Sequence, residues 1–430
     1  MISILKTEKI SATFRAFQNR NYRLFFSGQS VSQIGTWMQR TGVSWMIYTM
    51  THSPFMLGLT VFASQFPSFI FSLAGGVASD RYNRYKVLLL TQIASMIQAL
   101  LLAILILTNH YSVTGILLLS VLLGIINAFD VPARQPLIHE MVTDKADLPN
   151  ALALNSSMVN LARLIGPALS GIVLVKWGAG ICFLLNALSF IAVIISLLLM
   201  KLPSYTAPQV KNKISSELTE GLRYLKNTPS ISLTLLLLGL LSLLVLPYNT
   251  VLPVFAKVIF KGDAATFGYI NSFIGIGAVA GSFFLATLDP KRDLKSVLFV
   301  STIIFGIFLI LFSHMSNFPL AMVFACAMGF GMMNQTTICM TIIQVESDKE
   351  MRGRVMSYVA MAYFGMLPLG SLLVGGVSQH IGAPNAILAQ GIIALVIAAL
   401  FYKFLRKKKP ETFISREAEV EAENLVMEKI

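Results

Sequence analysis

Gly76-Val-Ala-Ser-Asp80-Arg81-Tyr-Asn-Arg84-Tyr-Lys86 separates two long apolar stretches, 55–79 and 87–108. Four charges fall within its last seven residues, and the flanks carry none. A joint this short makes the two stretches antiparallel neighbours. Gly76 permits a tight helix end and close packing. Asp80 can cap a helix or face the positive N-terminus of another. Arg84 can pair with a carboxylate, and Asp130 is the natural candidate.

Working outward, the pattern repeats. Twelve apolar segments lie near 24–48, 55–79, 87–108, 112–133, 149–174, 180–200, 231–256, 266–288, 296–313, 318–345, 355–378 and 384–404. About 20 residues cross the hydrocarbon layer as a helix. Backbone satisfaction in lipid admits only helices or closed barrels, and these lengths mean helices. The 430 residues are 55% hydrophobic and 12% charged. A soluble domain carries roughly 25% charged residues. The reading is an all-α membrane protein of twelve transmembrane helices.

The net charge of +13 does not point to nucleic acid, because of where the charges sit. Lys6 to Arg23, Arg81 to Lys86, Lys201 to Lys226, Lys291 to Lys295, Lys349 to Arg354 and Lys403 to Lys409 share one side if the spans alternate. The other side holds Lys176, Lys257 and Lys261. The positive-inside rule then puts both termini in the cytoplasm, with the excess also attracting anionic lipid headgroups. Cys182, Cys326 and Cys339 fall within spans, without metal-type spacing. The basic N-terminus runs into a first span too long for a cleaved signal, so that span is expected to insert uncut.

The expected organisation is a cytoplasmic N-terminus (1–23), a six-helix bundle (24–201), a linker (202–230), a second bundle (231–405) and an acidic tail (406–430). Ser215-Ser216-Glu217 can open an amphipathic linker helix with Leu218, Leu222 and Leu225 on one face. A plain linker is the alternative. The bundles repeat: an offset of 348 − 144 = 204 carries Asp144 onto Asp348, Gly166 onto Gly370, Gly171 onto Gly375 and Gly178 onto Gly382. Gly58 resembles Gly268 at a slightly different offset. Parallel six-helix repeats are a transporter layout, with substrate between the halves near the midplane.

The 76–86 stretch resembles the signature loop of the major facilitator superfamily: Gly, three residues, Asp-Arg, two residues, Arg, then a basic residue. The resemblance implies a conformational latch formed by Gly76, Asp80, Arg81, Arg84 and Asp130, with Asp80 near Arg354 at the start of the eleventh span. Ala162-Arg163-Leu-Ile-Gly166-Pro167-Ala-Leu-Ser-Gly171 resembles, in degenerate form, the antiporter motif of exporters in that superfamily. Gly166, Pro167 and Gly171 are expected to bend the helix and admit a close neighbour. Asn21-Tyr22-Arg23, Ser32-Gln33-Ile34-Gly35-Thr36-Trp37 and Asp130-Val-Pro132-Ala-Arg134-Gln135 look like the branch holding the enterobactin exporter and related efflux permeases. Proton-coupled drug exporters often carry an arginine early in the fourth span. Here Ser112 to Gly124 carries no charge, a departure that bears on the coupling route.

Helical spacing marks a path. Gln29, Gln33, Thr36, Arg40 and Ser44 form one stripe on the first span. Ser156, Asn160 and Arg163 do the same on the fifth, and Asn334, Thr337, Thr341 and Gln344 on the tenth. Tyr248 and Asn249 sit between Pro247 and Pro253 on the seventh. Arg40 and Arg163 lie inside spans, and no acidic residue is expected deep in one. A charge near the bilayer centre persists mainly where it faces protein interior or a watery cavity. Arg163 lies ~21 Å along its span, near the midplane. Arg40 lies ~24 Å along, where snorkelling outward competes with substrate contact.

Together these features point to a monomeric secondary exporter working by alternating access in a bacterial inner membrane. It would move an amphipathic small molecule, whose anionic character the two arginines suggest, with protons as the coupling ion. Siderophore-like metabolites and drugs both qualify. Two alternatives stay open: uptake, including lysophospholipid movement, and a receptor or assembly protein that keeps the fold without turnover. No phosphate-binding loop is present, and isolated loop histidines such as His52, His110 and His139 make no catalytic site. No enzyme activity, cofactor or metal is expected.

Overall fold

The computed structural model describes residues 14–202, 214–289 and 292–403. Expectations for residues 1–13, for 203–213 of the linker and for the tail beyond 403 lie outside them. The described chain is helical: α1 (Arg20–Thr51), α2 (Pro54–Arg81), α3 (Arg84–Leu107), α4 (Val113–Met141), α5 (Leu148–Leu198), α6 (Ile214–Asn227), α7 (Pro229–Ile259), α8 (Ala264–Ala286), α9 (Leu294–Ser313), α10 (Phe318–Glu346), α11 (Arg352–Ile381) and α12 (Ala383–Leu400). Ten of them are long and apolar enough to cross a membrane.

The 51-residue α5 is two antiparallel limbs, not one rod. Gly178 breaks it at φ 82, ψ 174, a conformation essentially reserved for glycine. Ser170 Oγ and Cys182 Sγ then lie 3.6 Å apart. Twelve residues of straight helix would separate them by ~18 Å. Gly382 (φ 84, ψ 153) makes the corresponding turn between α11 and α12. Counting the two limbs of α5 separately and adding the more polar, 32-residue α1 gives twelve long helices among the described residues.

Short turns hold because the helix starts cap themselves. Ser53, Asn83, Ser112, Asp263 and Asn317 each accept a backbone N–H from the first turn of the helix that follows. Lipid supplies no hydrophobic drive between helices, so small residues that admit close backbones do the packing. Gly28, Gly35 and Gly42, seven apart on α1, take the second limb of α5 at Val193, Ser189 and Phe183.

The halves meet at the face opposite the basic loops. There Gly171 lies against Ala265 and Gly268, while Gly375 lies against Pro54 and Gly58. These are the two offset-related glycines, each clasping the other half. Ser53 Oγ also donates to Gln379 Oε1 at 2.7 Å, and Trp45 stacks on Phe267 at 6.2 Å. At the basic face, ion pairs such as Arg84–Glu140 and Lys295–Glu346 stay within one half. The space between the halves therefore opens toward the basic face.

Four expectations need correction. Arg84 pairs with Glu140 at 3.0 Å and reaches Asp80 at 3.7 Å, not Asp130. Helix α4 runs on to Met141 and so brings Glu140, not Asp130, level with the loop. For the same reason Asp130 is a buried acid inside a span. It bonds Arg134 (3.2 Å), Thr91 (3.0 Å) and Gln92 (2.6 Å). Arg354 meets Glu220 of α6 at 2.9 Å, and Tyr224 Oη of α6 accepts from the Asp348 N–H, so α6 docks on the second half. Gly75, against Ala128, is the close-packing glycine, while a Cβ on Gly76 would meet nothing within 4 Å.

Candidate functional site

The first limb of α5 carries the site. Gly166 admits α1: a Cβ there would stand 2.5 Å from Trp37 Cβ and 3.0 Å from the Ile34 carbonyl. One turn earlier, Arg163 projects its guanidinium beside the same tryptophan, Cζ 5.2 Å from the ring centroid. Arg40, one turn beyond Trp37 on α1, places its Cζ 5.1 Å from that ring. Two cations thus share one indole, an attraction that holds both without neutralising either.

Arg163 Nε is buried and has no hydrogen-bond partner among the described residues. Neither arginine has a carboxylate within ion-pair distance among them. Pro167 has no N–H, so the Arg163 carbonyl loses its helical partner as well. The residues around Gly166 and Pro167 keep helical dihedrals, and the break comes only at Gly178. The pair therefore serves close approach and a freed carbonyl, not the break itself.

Arg40 is exposed and lines a pocket of about 100 Å³ together with Gln39, Ser44, Thr60, Ser64 and Gln98 among others. A buried amide chain fixes its floor: Asn186 Nδ2 donates to Gln39 Oε1 (2.8 Å), Gln39 Nε2 to Gln98 Oε1 (3.0 Å), and Gln98 Nε2 to the Leu119 carbonyl (3.1 Å). Arg163 marks the apex of the open space. The next residue, Leu164, packs on Gly275 and accepts from Ser272 Oγ at 3.1 Å.

The other expected path residues divide. Gln33, Thr36, Asn160, Thr337 and Thr341 are half-buried and Asn249 exposed. Gln29, Tyr248 and Asn334 are buried. Tyr248 is turned into the second half, edge-on to Phe305 at 5.5 Å with its hydroxyl toward Met332 Sδ. Helical spacing gives a face but not its depth, which is why these three were expected on the path. Glu140, Glu220 and the amide chain went unnoticed, because nothing local marks a side chain whose partner lies on another helix.

Residues 11–429 match the family described as transmembrane secretion effector. The chain is 27% identical to the staphyloferrin A transporter of Staphylococcus aureus, covering 90% of this chain and 97% of that protein. It is 26% identical to the enterobactin exporter EntS of Shigella boydii, covering 88% and 90%. The fold matches a bacterial homologue of the human lysosomal transporter Spinster with TM-score 0.70 at 14% identity, over 90% of this chain and 97% of that one.

Proposed function

The chain belongs to the transmembrane secretion effector family of the major facilitator superfamily, and on that premise we propose that it exports an amphipathic anionic small molecule. Transport itself follows from the family. Direction, cargo and coupling are the proposal. The observation that carries it is Arg163: a cation at the inner end of the open path whose Nε has no partner, and which has no carboxylate within ion-pair distance, among the described residues. A charge left so is costly, and an anionic cargo would offset that cost.

The positive-inside rule supports a cytoplasmic basic face with both termini inside, and similarity to bacterial transporters supports the inner membrane of a bacterium as its location. The open state then receives cargo from the cytoplasm. Similarity to a siderophore transporter and a siderophore exporter supports a siderophore-like metabolite or drug as cargo. Asp130 supports proton coupling: it is a titratable group held inside a span by Arg134, Thr91 and Gln92. Asp80, Arg81 and Arg84, with Glu140 in the place expected for Asp130, form the proposed latch in its released position.

The test is transport by Arg163→Gln. Everted vesicles energised by a proton gradient should accumulate an anionic siderophore, and the variant should lose that accumulation while sparing a neutral analogue. Arg163→Lys should rescue in part, since it restores charge without the planar fork. Concentrative uptake by right-side-out vesicles, or a correctly folded Arg163→Gln that exports anions normally, would overturn the reading.

A further inference from the structure

Arg40 and Arg163 do not form two separate anion sites, because Trp37 joins them. Each guanidinium centre is just over 5 Å from the ring centroid, so the two are at most about 10 Å apart, twice that separation. They approach from different helices, α1 and α5, one turn to either side of Trp37 in height. The approach of those helices is set by Gly166, whose missing side chain leaves room for Trp37. The spacing is therefore built into helix packing and does not depend on flexible loops.

The charge balance is lopsided. Asp130, the acid held inside a span, is already engaged by Arg134. Closing the basic face brings no carboxylate from within a span to the pair, because the remaining acids of the described spanning helices sit at helix ends, Asp80, Glu140 and Glu346, while Glu220 lies on α6 and is engaged by Arg354. One anionic group could answer one guanidinium and would leave the other uncompensated. The pocket beside Arg40, about 100 Å³ and open on one side, has room for an acidic group next to the guanidinium.

We propose that Arg40, Trp37 and Arg163 form a clamp for a polyanionic cargo, typified by a polycarboxylate, with one acid group in the Arg40 pocket and a second on Arg163. The clamp rests on the anionic-cargo reading and sharpens it from one negative charge to two or more. The molecule's body lies over the indole between them. The Gln39–Gln98–Asn186 chain holds the pocket floor, and the freed Arg163 carbonyl offers an acceptor for a hydroxyl on the cargo.

The chain has three tryptophans, which makes the site readable. With Trp45→Phe and Trp177→Phe, the full chain in phosphatidylcholine nanodiscs reports on Trp37 alone. Titration with citrate should change its fluorescence with an affinity at least tenfold tighter than for acetate at matched ionic strength, the increment expected of one further charge-assisted bond. Arg40→Gln or Arg163→Gln should erase the difference between the two probes. The lysine variants should restore part of it, and they control for folding.

Equal affinity for the two probes, or a preference for citrate that survives both glutamine variants, overturns the clamp. Nanodiscs containing phosphatidylglycerol test the other source of anions. If that lipid alone moves the Trp37 signal and displaces citrate, the clamp is a headgroup site and the cargo proposal fails. Binding is read here without transport. Citrate selectivity without export would sink only the export reading, and export of monoanions without selectivity would sink only the clamp.

Discussion

Putting a methyl group on either clasping glycine should push the closed face open. A Cβ at Gly171 would stand 2.9 Å from Ala265 Cα and 3.0 Å from the Ala264 carbonyl. At Gly375 it would stand 2.7 Å from the Pro54 carbonyl and 3.0 Å from Gly58 Cα. These neighbours are backbone, which no rotamer change can move. Overpacking of this kind costs about 1–3 kcal/mol. The strain exists only while the halves touch, so separating them relieves it. At about 1.4 kcal/mol per tenfold, Gly171→Ala or Gly375→Ala should shift the balance away from the basic-face-open state by roughly five- to a hundredfold. The double variant should exceed either.

Spin labels in the exposed turns, at His110→Cys and Ser316→Cys, would read the separation by double electron–electron resonance. The native distribution should be short, and in the variants a longer one should grow. Gly353→Ala is the control, because a Cβ there meets nothing within 4 Å. If both clasp variants fold with native distances, the glycines are not the clasp. If they lose stability without any longer distance, the contact is structural and does not report on state.

Three further outcomes are expected. A double-mutant cycle of Arg84→Ala with Glu140→Ala, read by thermal unfolding, should show coupling of up to about 1 kcal/mol, whereas Arg84 with Asp130 should be additive within about 0.5 kcal/mol. Gly178→Ala and Gly382→Ala should each cost about 1–3 kcal/mol from backbone strain, seen as lower unfolding temperatures, although a Cβ at 178 meets nothing within 4 Å. Asp130→Asn removes the titratable group but keeps acceptor capacity for Thr91 and Gln92, so facilitated movement down a substrate gradient should survive while accumulation driven by a proton gradient is lost.

What the sequence discloses here is what repeats or alternates. The offset of 204 paired Gly166 with Gly370, Gly171 with Gly375 and Gly178 with Gly382. In the structure, the first pair packs α5 on α1 and α11 on α7. The second pair clasps the opposite half, and the third makes the two turns. Periodicity served because a helix imposes it. Partner choice was less legible. Arg84 was expected on Asp130 because both flank basic-face loops, but α4 continues about three turns past Asp130 and presents Glu140 instead. Nothing along the chain says that an arginine from α5 shares the ring of Trp37.

One stretch of α5 links the site to the gate. Arg163 is at the inner end of the path, and Leu164 packs on Gly275. Gly166 seats Trp37, the Pro167 carbonyl abuts Gly268, and Gly171 meets Ala265. Within nine residues, one rigid helix holds a cargo-facing cation, its neighbour on α1 and three contacts with the other half. A ligand shifts a two-state equilibrium only by binding one state more tightly. An anion bridging Arg163 and Arg40 bears on α5 and α1 alone, so by itself it favours neither state. Bias has to come from the second half, whose half-buried Thr337 and Thr341 on α10 and exposed Asn249 on α7 belong to the expected path. Charge at Trp37 would then select the cargo, and contacts across the cleft would drive the turnover. Arg163→Gln should therefore weaken binding in both states alike, while Thr337→Val, with affinity in the basic-face-open state intact, should slow exchange between states when cargo is bound and leave the empty protein's distance distribution unchanged. Spin-label distances at the clasp, with and without cargo, separate the two. If Thr337→Val alters the empty protein, the division of labour between the halves is wrong.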